Sequence, residues 1–422
     1  MRKESAFIWI ALLTASIPSP AAAAIRYNVT DLGTLPGYES SRAWSINNKG
    51  QIVGEAFNSS PLYNNRAVLF DPNRDGNNID LGTLGGENSW AASINNNGQI
   101  VGGADFIDFQ QSPQPTIFDS KGGGNNIGLG KKGPAWSIND HGQIVGGAVN
   151  SFGYERAILF HLNDVNNHTE LGTLNGFNHS NAYSINNIGQ IVGFAFIEPY
   201  TRKFRAVRFD PSGQGNNIDL GTLGGEYSAA ISINDYGRIV GRADTATGSC
   251  HAVLFDPNGI GNNVDLGTLD GCNFLVATSI NNSGQIVGQA SKDASSGFRA
   301  VMFDPTGNGN NVDLNDLIDP TRGYSLSNAI RINDNGWIVC WGGNSSFYYT
   351  TLLLTPVPAG PADFQLDGTV NLEDYAILTA AWRSTPADDN WNPFCDISDP
   401  KDNIIDERDL AVLAGNYLVN PP

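Results

Sequence analysis

One ten-residue pattern governs this chain. It is spelled SINNKGQIVG from Ser45 and returns from Ser93, Ser137, Ser184, Ser232 and Ser279, with a worn copy, RINDNGWIVC, from Arg331. Successive copies are 48, 44, 47, 48, 47 and 52 residues apart. A fixed period of this length means that one supersecondary unit is made again and again, each copy burying its apolar faces against its neighbours.

Two other segments keep the same order within each period, and the repeated motif itself supplies a strand on each side of its turn. RAVLF at Arg66 returns from Arg156, Arg205, His251 and Arg299, with weaker forms at Thr116 and Thr350. DLGTL at Asp31 returns at Asp80, Glu170, Asp219 and Asp265, and more loosely at Gly128 and Asp313. Each period therefore carries four short strand-like runs separated by turn residues. In the repeated motif, apolar Ile and Ile-Val flank N-x-x-G. Asn47 can bond its own backbone there, and Gly50 can take the left-handed conformation that a side chain resists. The recurring Asn and Asp could instead be ligands, but a turn needs no partner and is the reading adopted. The expected fold is all-β: a seven-bladed β-propeller of four-stranded antiparallel blades over residues 25–356, because a ring leaves only short edges to protect. The first strand, Tyr27 to Leu35, is expected to complete the last blade.

Antiparallel alternation assigns loops to faces. The N-x-x-G turns and the DPxGxGNN connections, such as Asp71 to Asn78, share one face. The connections after QIVG and the segments before each SIN share the other. Length and residue type vary most on that second face, which makes it the expected binding surface. It carries Phe57, Tyr63, Phe106, Phe109, Phe152, Tyr154, Tyr200 and Tyr227, rings that can stack on sugars or anchor a protein. Trp44, Trp136 and Tyr183, just before the SIN strands, read as packing between blades. Asp71, Asn73, Asp75 and Gly76 spell a calcium-like D-x-N-x-D-G, but equivalent loops lack the third acid, so a plain turn is expected. With HAVLF at His251 and the RAVLF series beside the SINxxGQIVG hairpin, these repeats resemble the HAF family of extracellular repeats. That resemblance implies a secreted protein and supplies no catalytic residue.

Composition narrows the rest. Arg2 and Lys3 precede an apolar run from Ala6 to Ile17, and Ala22 and Ala24 supply small residues for cleavage, so residues 1–24 read as a signal peptide. The apolar run is shorter than the ~20 residues needed to span a bilayer, so a membrane-spanning protein is not expected. The net charge of -18 disfavours nucleic acid as a partner. Cys250, Cys272, Cys340 and Cys395 are too scattered for a disulfide framework or a zinc site, although Cys250 and Cys272 are close enough for one local bridge.

The patterning changes after a Pro-rich linker, residues 357–362. Residues 361–422 hold ten Asp and two Glu against three basic residues, which is half of the chain's net charge. Asp363, Gln365, Asp367, Gly368, Thr369, Asn371 and Asp374 fall at positions 1, 3, 5, 6, 7, 9 and 12 of a calcium loop, with a helical pattern from Leu372. Calcium takes six to eight oxygens, and this spacing curls carboxylates, an amide and the Thr369 carbonyl around one point. A second copy follows. Asp396 takes position 1 with Ser398 or Asp399 next, and Asp402, Ile404, Asp406 and Asp409 take positions 5, 7, 9 and 12. Two calcium ions are therefore expected in residues 363–422, which should fold only with metal because the carboxylates repel one another.

Two tandem loop-helix units without a preceding helix resemble a type I dockerin, a small α-helical calcium-binding domain. The resemblance implies docking on a cohesin-like or cell-surface protein. The positions linked to that choice are Leu372, Glu373, Glu407 and Arg408, which are not the Ser-Thr pairs of well-known dockerins. The expected function is that of a secreted, extracellular or cell-surface binding or display protein, without catalytic residues, offering its loop face to carbohydrate or protein. The competing expectation is a secreted glycosidase or lyase acting on polysaccharide. No GxSxG elbow occurs, and the acids Glu55, Asp105, Asp108 and Glu198 show no spacing that selects a catalytic pair.

Overall fold

The computed structural model describes residues 26–357 apart from 59–63, 74–76, 107–112, 162–163, 198–203, 294–296 and 344–348; in the tail it describes 372–380, 382–385, 395 and 404–417. Two compact units result, Tyr27–Val357 and a second containing Pro358–Pro422.

In the first unit each period forms four antiparallel strands paired in chain order, and the periods that begin at Gly224 and Phe274 are joined by one parallel pair, Cys250 with Phe274. Ser40–Ile46, Ile52–Asn58, Asn64–Phe70 and Ile79–Asp80 make the first. Equivalent sheets begin at Gly85, Ala135, His179, Gly224 and Phe274. The last is Ser325–Ile332, Ile338–Gly343 and Thr350–Val357, completed by Arg26–Asp31 from the start of the chain. That closing strand is shorter than the segment expected from sequence, and Leu32 beyond it still donates its N–H to the Thr351 carbonyl at 3.0 Å. The architecture is that of a β-propeller.

Burial explains why the second strands read as nearly unbroken apolar runs: both faces of each sheet meet a neighbour. Val53 and Ala67 of the first sheet pack with Ile94, Ile100 and Phe118 of the next. Ile330, Val339 and Leu353 of the last sheet pack with Ala43, Ile52 and Phe70 of the first. Burying one such Ile, Val or Phe contributes roughly 1.5–3 kcal/mol, so the last-to-first junction is held by a hydrophobic interface of the same kind as the others.

The repeated letters have separate mechanical reasons. Gly50 sits at φ 77°, and Asn47 Oδ1 accepts the N–H groups of Lys49 at 3.0 Å and Gln51 at 2.9 Å. The residue before Ser45 is skipped in the pairing register as a β-bulge, and the same irregularity recurs at the matching place in every sheet. A bulge bends its strand and increases the local twist. A Cβ on Gly54 would lie 1.9 Å from the Arg42 carbonyl oxygen, which is why the last letter of QIVG is Gly. The final copy carries Cys340 there, and its sheet has a second register shift between Leu326 and Asn328.

The repeated Asn does more than turn the chain. Asn47 Nδ2 donates to the carbonyl of Asn95, Asn95 to Asn139, and so on through Asn186, Asn234, Asn281 and Asn333, which returns to Asn47, all at 2.9–3.0 Å. A closed circuit of hydrogen bonds therefore runs around the axis. Across the outer rim, Asn78 donates to the carbonyls of Leu32 and Thr34 at 2.9 and 3.1 Å, and Asn126, Asn217, Asn263 and Asn311 repeat the bond. Arg66 pairs with Asp80 at 3.0 Å, and the same cross-strand contact is made by Arg156 with Glu170 and by His251 with Asp265.

The tail helices are Leu372–Ala380 and Glu407–Tyr417. Leu378, Cys395, Ile405 and Leu413 form their core. The chain segments are tied by Arg383 N–H to the Ile405 carbonyl at 2.8 Å and Ile405 N–H to Ser384 at 3.2 Å. Among the described residues, no helix is long and apolar enough to cross a membrane.

Candidate functional site

Three places gather polar chemistry. The first is the axial mouth on the turn face, a cavity of about 190 Å³. It is ringed by Asn48, Asn96, Asp140, Asn187, Asp235, Asn282 and Asp334. Each of these residues donates its backbone N–H to the side-chain oxygen of the next at 2.8–2.9 Å, and the circuit closes from Asp334 to Asn48. The second oxygens of Asp140, Asp235 and Asp334 also accept amide N–H groups from both sides, at 2.8–3.2 Å. These carboxylates are already satisfied, so the ring is a buckle between sheets.

The second place is the opposite face. There the strand ends from three consecutive sheets enclose an open cavity of about 700 Å³, within the range of pockets that hold a small ligand. Phe204, Tyr227 and Phe274 supply aromatic surface, and Arg242, Lys292 and Asp244 supply charge. Phe204 and Tyr227 are 5.9 Å apart, and the Arg242 guanidinium lies 4.7 Å over the Phe204 ring, a cation–π contact that fixes its position. The aromatic surface continues from Phe204 to Phe194, Tyr183 and Trp136 at 6.0, 5.2 and 5.4 Å. Burial raises the Asp244 carboxyl above its usual range, against the pull of Arg242 and with a further push from Glu226. Burial also pushes the Cys250 thiol up to about 11, which makes it a poor nucleophile.

Of the aromatics expected on this face, Tyr227 lines the cavity, Phe152 is 82% exposed, and Phe106 and Tyr154 are also exposed. Phe57 is buried under the Arg42 guanidinium at 4.4 Å. Tyr63, Phe109 and Tyr200 lie outside the described residues. Trp44 meets Trp341 of the neighbouring sheet edge-on at 4.9 Å, and Trp136 stacks on Tyr183, as packing residues between sheets. Glu55 is buried beside Arg42 and accepts from Asn65 Nδ2 at 2.6 Å; burial raises its carboxyl despite those partners. Asp105 accepts from Asn88 at 2.7 Å, while Asp108 and Glu198 lie outside the described residues. Asp71 accepts the Asn73 N–H at 2.9 Å, but Asp75 and Gly76 of that loop lie outside the described residues. Cys250 and Cys272 are separate thiols here, and Cys272 accepts from Arg299 at 3.0 Å.

Arg242, Asp244, Phe274 and Lys292 were not singled out by sequence reasoning. A signal for Arg242 existed. It follows IVG at the place held by Glu55, Gly103, Gly147, Phe194, Gln289 and Trp341, a position beside the motif that differs in nearly every copy.

The third place is the tail. Asp363, Gln365, Asp367, Thr369, Asn371, Asp396, Ser398 and Asp402 lie outside the described residues, as does the Asp374 side chain. Ile404, Asp406 and Asp409 are described. Asp406 Oδ1 accepts the Arg408 N–H at 2.8 Å, and the fully buried Asp409 reaches back to the Asp406 N–H at 2.9 Å. The two acids thus converge at the start of the second helix as a capping box, the place that positions 9 and 12 of a calcium loop occupy. Both are hard oxygen donors of the type calcium takes, and Asp406 Oδ2 here pairs with the Arg408 guanidinium at 3.0 Å. Among the described residues, no group of three or more His, Cys, Asp or Glu side chains could hold a metal.

No protein-family model matches this chain, and no curated protein sequence matches it. Among solved structures, it is similar to the β-propeller domain of the Trilobed protease from Pyrococcus furiosus, at 10% identity and TM-score 0.49, covering 75% of this chain and 97% of that one. It is also similar to a Trypanosoma rangeli sialidase, at 9% identity and TM-score 0.41, covering 85% and 63%. A Bacillus subtilis arabinanase matches at 12% identity and TM-score 0.25, covering 64% and 91%. No activity carries over to this chain at these identities.

Proposed function

We propose that this protein is an exported binding protein: a seven-bladed propeller that holds a ligand on its loop face and is tethered through a calcium-dependent dockerin-like tail to a cohesin-like or cell-surface partner. The observation that carries the binding role is the loop-face cavity, where rings from neighbouring sheets line up beside an immobilised guanidinium. Aromatic faces bury the apolar side of a sugar ring, while charged groups and amides meet its hydroxyls. The tail supports the tethering role through Asp406 and Asp409 and through its acidic composition.

A second reading, a secreted glycosidase or lyase with the same tail, is favoured by one feature. Asp244 lies in the cavity with its carboxyl raised by burial, as a general acid requires, and Asp293 lines the same space. A glycan array probed with the full chain in calcium separates the readings. Retention of one glycan class, lost in Phe204→Ala, supports binding; release of reducing ends from that glycan, lost in Asp244→Asn, supports catalysis instead. A blank array overturns the saccharide assignment.

A further inference from the structure

The cavity can be assigned a ligand class because its charges differ in how they are engaged. This rests on the binding reading above and narrows it. Asp244 accepts the backbone N–H of Tyr227, so its charge already helps to hold the aromatic loop. Glu226 is hydrogen-bonded to the Tyr227 hydroxyl, and its charge pushes that phenol up. The Asp293 carbonyl accepts from the Ser291 hydroxyl at 2.6 Å. The two cations stand differently. Among the described residues, neither Arg242 nor Lys292 has a side-chain hydrogen bond or an ion pair within contact distance, although both line the cavity.

Arg242 attracts the Asp244 carboxylate without forming a contact ion pair. In other copies Arg66, Arg156, Arg205 and Arg299 each meet a carboxylate at 3.0–3.3 Å, while Arg331 donates to the Thr278 carbonyl. Arg242 meets the Phe204 ring instead. Stacking holds the guanidinium plane and leaves its fork of N–H donors free for a planar, two-oxygen acceptor. Lys292 adds a second, mobile donor at the exposed rim. A carboxylate fits that fork, and a ring carrying it lies against Phe204, Tyr227 and Phe274.

We propose that the loop-face cavity binds an acidic saccharide, a sugar ring bearing a carboxylate, with Arg242 and Lys292 taking the carboxylate and the aromatic rings taking the sugar face. A hydrogen-bonded charge left without its partner makes a specific site discriminate strongly. The test is isothermal titration of the full chain with trigalacturonate and with a glucuronate-containing disaccharide, each beside its methyl ester. The ester keeps the ring and removes the charge. The expected result is binding of at least one acid, at least tenfold weaker for its ester and at least tenfold weaker in Arg242→Gln, with a smaller loss in Lys292→Gln. The Lys292 variant alters an exposed side chain, so it reports on binding even where Arg242→Gln disturbs the Phe204 contact. Equal binding of acid and ester overturns the carboxylate assignment and leaves the saccharide-binding reading standing. Absence of binding by all four sugars at millimolar concentration overturns the acidic-saccharide assignment, and the glycan array then decides separately whether the saccharide reading stands.

Discussion

Substituting Asn139 by Asp separates two roles that the repeated asparagine combines. The side chain is buried, and its Oδ1 accepts the N–H groups of His141 at 3.1 Å and Gln143 at 2.9 Å. Its Nδ2 donates to Gln143 Oε1 at 2.8 Å and to the Asn186 carbonyl of the next sheet at 3.0 Å. Aspartate preserves both acceptor bonds and serves such turns as well as asparagine does. It loses both donations, however, and points a carboxylate oxygen at two acceptors. The lost bond to the part-buried Gln143 Oε1 costs about 0.5–1.5 kcal/mol net, and the buried Asn186 carbonyl left unpaired costs about 1–3 kcal/mol. Asn139→Asp is therefore expected to destabilise the ring by about 1.5–4.5 kcal/mol at pH 7. Urea unfolding of the full chain, followed by tryptophan fluorescence, measures this as a lower midpoint with an unchanged slope. A change below about 0.5 kcal/mol, the size typical of uninvolved surface sites, would refute the idea that the asparagine circuit fastens neighbouring sheets.

The buried Glu55 makes a pH prediction with a defined sign. Burial raises its folded-state pKa above the unfolded value, so its contribution to stability is fully present below the unfolded pKa, about 4.3, and is lost as pH rises through the folded one. Glu55→Gln keeps an oxygen for Asn65 and removes the charge, so it should raise the melting temperature relative to wild type at pH 7.5 and give no gain near pH 4; an equal gain at both pH values would contradict the burial argument. For the tail, calorimetric titration of the full chain should find two calcium ions, with one site weakened at least tenfold by Asp409→Asn. An absence of heat at millimolar calcium would remove the metal reading.

Much of the strand pattern was legible because it is local. The N-x-x-G hairpin is set by the turn chemistry of Asn47 and the positive φ of Gly50, and a turn residue acts on its own backbone whatever surrounds it. The last letter of QIVG was legible as glycine but not as a reason. The reason is the Arg42 carbonyl brought close by a bulge in the partner strand. The loop face was legible as the variable face, and Tyr227 was identified on it. The rest of the cavity was not, since Phe204, Arg242 and Lys292 are 38 and 50 residues apart along the chain.

By itself, the sequence determined the period, the four strands in each copy, the turn residues and the acidic calcium-loop spelling of the tail, all of which depend on residues within a few positions of one another. Only the tertiary structure decided that Asn333 returns to Asn47 and that Asp334 returns to Asn48. It also decided that Arg242 lies over the Phe204 ring and faces the loop-face cavity. Those facts depend on which sheet stands beside which, and a hydrogen bond or a stacked ring reports a distance in space that no spacing along the chain encodes.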